Sequence, residues 1–161
     1  MPFLFLFLLF TMVSQTSMSQ TAPVNPDRQV VLWDAVIAGN VPSAMASIKA
    51  GADVNGLDTR ASVAGPNGRR PLNYAAIRND TAMITTLLDA GANINLANRS
   101  GFTPLHHAGE AGSKEAATLL IAKGTNLTLR NMRDQTAEQT ATASHHPDVA
   151  EILHQAMTSP K

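Results

Sequence analysis

Residues 98–131 read NRSGFTPLHHAGEAGSKEAATLLIAKGTNLTLRN, and this stretch decides the fold. The Thr103–Pro104 step starts a helix. The threonine caps its first turn, and proline is at home there because no N–H partner is needed. A polar turn leads to Ser113, a second N-cap, and a second helix is predicted over 114–123. Gly124 follows, where a left-handed residue closes the last turn of a helix.

The pattern recurs at a fixed step, which makes it a structural repeat. AGADVN (50–55), AGANIN (90–95) and KGTNLT (123–128) align on Gly51, Gly91 and Gly124. RRPLNYAA (69–76), FTPLHHAG (102–109) and QTAEQTAT (135–142) align on Pro71, Pro104 and Ala137. The step is 33 residues except at the first connection, where it is 40. Counting back 40 from Leu72 reaches Leu32 in VVLWDAV, so four units are expected, about 29–64, 65–97, 98–130 and 131–158. Second helices are predicted near 41–50, 81–90, 114–123 and 147–157. Asn40, Asp80, Ser113 and His146 stand at their N-caps. Met83, Ile84, Leu87 and Leu88 mark an apolar helix side, as do Val149, Ile152 and Leu153.

These motifs resemble the ankyrin repeat family. Residues 98–131 are close to one whole repeat. Residues 65–97 match with Arg70 in place of the usual threonine and Asn79 in place of the usual glycine. Residues 29–55 resemble an N-terminal capping repeat with Val31 at the proline position, and 131–157 a C-terminal cap with Ala137–Glu138 in place of Pro-Leu. The resemblance implies an all-α solenoid of about four helix-turn-helix units, with short hairpin or turn fingers along one edge. No unit buries its apolar side alone, so neighbours supply the core.

The resemblance also implies a protein partner, met by the finger tips and the inner helices. The register assigns Arg69, Arg99, Phe102, Arg133 and Gln135 to the fingers and Arg78 and Glu110 to the inner helices. Phe102 is the sharpest candidate, because aromatics and arginines dominate interface energetics. Arg69, Phe102 and Gln135 should form one row. The insertion LDTRASVAGPN (57–67) adds Arg60 near Arg69, Arg70 and Arg78, a locally basic edge. Small exported ankyrin proteins of bacteria have been linked to the support of periplasmic stress-defence enzymes and to immunity against toxins.

Composition sets the bounds. Lysine plus arginine and aspartate plus glutamate number 12 each, so net charge gives no pull toward nucleic acid or anionic membrane. With no cysteine, disulfides, thiolate nucleophiles and sulfur-bound zinc are excluded. Pro2 to Val13 is almost wholly apolar, but twelve residues rise only about 18 Å as a helix, short of the ~30 Å hydrocarbon core. With SQTSMSQTA following, the segment suits a secretory signal over 1–19, cleaved after Ser19 or, as second choice, after Ala22, with a flexible stretch over 20–28; a buried apolar segment or an uncleaved anchor is the alternative. A periplasmic or secreted monomer is expected, free of the membrane after cleavage.

The histidines frame the rival class, a metal-binding protein or hydrolytic enzyme. His106 is expected to brace neighbouring fingers, as the resemblance implies. His145, His146 and His154 lack the spacing of a known metal site. No nucleophile triad or phosphate loop stands out, so no catalytic residue, metal or cofactor is assigned. NDT at Asn79, NRS at Asn98 and NLT at Asn126 are glycosylation-like triplets.

Overall fold

A computed structural model of the chain describes residues 26–158. The expected signal over 1–19 and most of the 20–28 stretch lie outside the described residues. Helices α1 (Pro26–Ala38) and α2 (Val41–Lys49) form the first pair. A single helical turn, α3 (Ala61–Ala64), lies in the insertion. Helices α4 (Pro71–Ile77) and α5 (Thr81–Asp89), α6 (Pro104–Ala111) and α7 (Lys114–Ala122), and α8 (Ala137–Ala143) and α9 (Pro147–Thr158) complete three further pairs. Among the described residues there is no strand, only an isolated antiparallel bridge between Asp58 and Arg69. The fingers are therefore turns.

The pairs stack in two rows. Helices α1, α4, α6 and α8 pack one on the next, and α2, α5, α7 and α9 form the second row. The core runs between the rows through Leu32, Leu72, Leu87, Leu105, Leu120 and Leu153, each almost fully buried. At Gly109 a Cβ would sit 2.8 Å from the Ala137 carbonyl, so the glycine lets α6 approach α8 closely. Among the described residues no helix is long and apolar enough to cross a membrane.

Polar caps fix where several of the helices start. Asn40 accepts from the Ser43 N–H at 3.0 Å, and Asp80 from Met83 at 2.9 Å. Ser113 was expected to do the same for α7, but its hydroxyl instead donates to the Ile77 carbonyl at 3.1 Å. The cap comes from the preceding unit: Asn79 accepts from the Ala116 N–H at 2.7 Å, and its amide donates to Glu115. Asn79 holds a left-handed backbone, φ 58°, at the register position of Gly112, φ 69°. Asparagine tolerates that conformation better than most residues, and here its side chain has a use that glycine lacks.

Neighbouring units are laced by repeated hydrogen bonds. The Arg99 N–H donates to Asn67 O at 3.1 Å, and one step later Met132 donates to Ser100 O at 2.9 Å. At the far end of the fingers the Asn93 N–H donates to Asn55 Oδ1 at 2.8 Å, and Asn126 to Asn95 Oδ1 at 2.9 Å. Of the glycosylation-like triplets, Asn79 is spent on its cap and Asn98 on its finger.

The insertion is pinned from inside. Asp58 is fully buried and accepts from Arg60 Nε at 2.9 Å, Arg60 Nη2 at 2.8 Å and the Tyr74 hydroxyl at 2.9 Å. Arg60 reaches on to Asp34 of α1 at 2.8 Å and lies over the Trp33 ring, 5.2 Å from its centroid. Burial would lift the Asp58 carboxyl, yet the Arg60 and Tyr74 donors together hold it below the ordinary range. Burial and then the Asp58 carboxylate push the Tyr74 phenol up.

Candidate partner-binding groove

The basic edge expected at the insertion is largely consumed by the fold. Arg60 is committed to Asp58 and Asp34. Arg70 is half-buried and donates to the carbonyls of Ala97, at 3.0 Å, and Asn55, tying two fingers together. A charge cluster along the sequence cannot reveal a carboxylate such as Asp34, which arrives from another helix. The Arg69 side chain donates to Val63 O at 3.2 Å and stands 5.9 Å from the Tyr74 ring centroid.

Phe102 departs from expectation. It is not an outward anchor, being only 7 % exposed. Its ring turns down onto the inner helix, with centroids 5.6 Å from His106 and 5.3 Å from His107. The cause is local. Asn98 Oδ1 holds the Phe102 N–H at 3.0 Å, and the large apolar ring gains more from leaving water than from standing at the tip. Gln135 is likewise engaged: its backbone carbonyl bonds to His106 Nε2 at 3.0 Å, and its side-chain Oε1 accepts from Asn131 Nδ2 at 3.4 Å. The expected row of Arg69, Phe102 and Gln135 is therefore not a row of free side chains.

A different set converges. A groove of about 230 Å³ is lined by Ala64–Arg69 of the insertion, by Asn98, Ser100 and Phe102 of the next finger, by His107 and Glu110 of α6, and by Met132 and Arg133 of the last finger. Four of the seven expected site residues line it: Arg69, Phe102, Glu110 and Arg133. Arg99 is exposed, and Arg78 caps the end of α4; neither lines the groove. Sequence reasoning left out His107; the register does put Met132 at an outward finger position, but it was not among the assigned site residues. Met132 is 79 % exposed, and its place beside Arg133 was the available signal.

His107 Nδ1 lies 3.3 Å from Glu110 Oε2, at the edge of hydrogen-bonding distance. Its Nε2 is buried without a partner. The bond to His107, with Arg69 and Arg133 nearby, holds the Glu110 carboxyl below its ordinary range against the opposing effect of burial. Two arginines against one glutamate leave the groove with one positive charge in excess. What this site can do is bind: it offers an apolar floor, a mobile thioether and guanidinium forks suited to planar anions.

Of the C-terminal histidines, His145 and His154 line one open cavity with Glu138 and Glu151, and His146 lies apart from it. His154 pairs with Glu138 at 3.0 Å, His145 holds a left-handed turn, and His146 packs against Gly112. Among the described residues no three histidine, aspartate or glutamate side chains come close enough to hold a metal ion.

The stacked helix pairs fit a family model described as ankyrin repeats in three copies, which matches residues 32–131. The chain belongs to the ankyrin repeat family. As ankyrin repeats, these units indicate a protein–protein interaction module. No curated protein shows a significant match to the chain.

Proposed function

We propose that this ankyrin protein is an exported, non-enzymatic monomer that engages one protein partner through the groove between the insertion and the last finger. The observation that carries the reading is convergence. Three successive units each bring a side chain suited to recognition — Arg69, Glu110 and Arg133 — to one groove, beside the exposed Met132. Exposed apolar and arginine side chains around a well-packed floor are what interface hot spots are made of. Export is supported by the apolar run of residues 2–13 and the small residues after it. Support of a periplasmic stress-defence enzyme, or immunity against a toxin, is the role that the family resemblance suggests.

Two measurements test the reading. Mass spectrometry of the native protein is expected to find an N-terminus near Gln20; an intact Met1 on a cytosolic protein would remove export. The partner is captured by co-purification from the intact organism, and its affinity for the Met132→Ala variant is measured. Met132 makes little contact with its own fold, so stability should change by no more than about 0.5 kcal/mol. Affinity should fall about tenfold, the effect of losing one good anchor. Undiminished affinity would move the binding face elsewhere.

A further inference from the structure

We propose that the groove holds an acidic, extended segment of the protein partner, and that Glu110 is the internal carboxylate with which that segment competes for Arg69 and Arg133. This deepens, and rests on, the reading of the groove as the binding face.

Arg133 is exposed and, among the described residues, its guanidinium forms no ion pair at contact distance. Arg69 holds only a single carbonyl with its terminal nitrogen. Guanidinium groups are planar forks whose natural counterpart is a carboxylate. Glu110 supplies one such group on the same groove; among the described residues it pairs at contact distance with His107 and with neither arginine, so it acts on both guanidiniums only through its nearby charge. Its hold is weak: the side chain is 47 % exposed and the bond to His107 is long, at 3.3 Å.

One excess positive charge suits an isolated acidic side chain. It does not suit a nucleic acid, whose binding depends on neutralising several phosphates, and the chain as a whole is neutral. The neighbouring apolar surface, Met132 on one side and Ala64 and Pro66 on the other, suits an apolar residue adjacent to the acid. The groove runs across three units, so an extended segment spans it better than a compact surface does.

Two substitutions have opposite expected signs. Arg133→Glu places a negative charge where the ligand's carboxylate belongs. Glu110→Gln keeps the shape and removes the competitor. Short random peptides displayed on phage would be selected against the folded chain, and an enriched sequence synthesised as the probe. Selection should favour Asp or Glu next to an apolar residue. Arg133→Glu should weaken the probe about tenfold, and Glu110→Gln should strengthen it about fivefold, both effects shrinking at high salt. Circular dichroism of each variant checks folding, and Arg69→Gln provides a second loss-of-charge variant.

Selection blind to charge, a Glu110→Gln protein that binds no tighter, or equal displacement of the probe by a short DNA duplex would each overturn the proposal. The captured native partner separates the two readings. If Met132→Ala weakens it while both charge variants bind normally, the groove stands as the binding face and the acidic chemistry falls.

Discussion

The finger at Asp58 and the finger at Asn98 occupy the same place in successive units, yet they are held by different means. Asn98 Oδ1 accepts from the N–H groups of Ser100, at 3.1 Å, and Phe102, at 3.0 Å, so the turn closes on itself. Asn131 repeats this with Arg133 and Gln135 at 2.8 and 3.1 Å. Asp58 keeps the first of these bonds, from the Arg60 N–H at 3.0 Å. The insertion carries the second donor away: Arg69, the register equivalent of Phe102, now follows eleven residues later and bonds to the Asp58 carbonyl instead. The Arg60 guanidinium fills the vacant role, and a charged donor calls for a charged acceptor. A longer loop costs little closure entropy, but the local hydrogen bonds it displaces must be replaced.

That comparison is broken most directly at Asp58. Asp58→Ala leaves Arg60 and Tyr74 without their buried acceptor, and urea unfolding should show a loss of about 3 kcal/mol or more. Asn98→Ala strands uncharged N–H groups in a partly exposed turn and should cost less, about 1–2 kcal/mol. Asp58→Asn, which keeps an acceptor but loses the charge, should fall between them. Equal losses at Asp58 and Asn98 would mean that the two fingers are equivalent after all.

The same contrast explains what was legible in the sequence. The 33-residue step located the second helix of each pair to within about a residue at its ends, because cap, proline and glycine chemistry act over one turn and are written locally. The apolar spacing likewise identified Met83, Ile84, Leu87, Val149 and Leu153 as core. The direction of a side chain at the surface was not legible. Phe102 and Arg69 share a register position, yet one ring folds inward while the other side chain lines the groove wall. Nor was the partner of a charge: Asp34 meets Arg60 from a separate helix. Asn79 was legible as a departure from glycine and as the head of an NDT triplet, whereas its cap on α7 depends on where the next unit lands.

A second register comparison gives a smaller and more exacting test. Asn73, His106 and Gln139 each accept from the N–H at the start of their own helix, from Arg70 at 2.8 Å, Thr103 at 3.3 Å and Thr136 at 3.0 Å. His106 also bonds through Nε2 to Gln135 O in the next finger, which makes it a bridge between units. The shorter Asn73 makes no such bridge, and its buried amide nitrogen has no partner. By the 33-residue step, the equivalent acceptor for a histidine at 73 is the Phe102 carbonyl. Asn73→His should therefore gain about 1 kcal/mol, the ordinary net worth of a hydrogen bond plus relief of a stranded donor. The gain should depend on pH. Burial holds the His106 pKa below its ordinary value, because a charged ring is disfavoured there, and a histidine at 73 would meet the same conditions. A base whose folded-state pKa is depressed contributes stability that is full above its unfolded pKa and lost as pH falls through the folded value. Thermal unfolding of Asn73→His should thus show the gain at pH 8 and lose it below about pH 6, more steeply than the parent chain, which carries only the one bridge. A gain that persists unchanged in acid would show that the new ring packs without bridging, and that the two junctions differ in more than the length of one side chain.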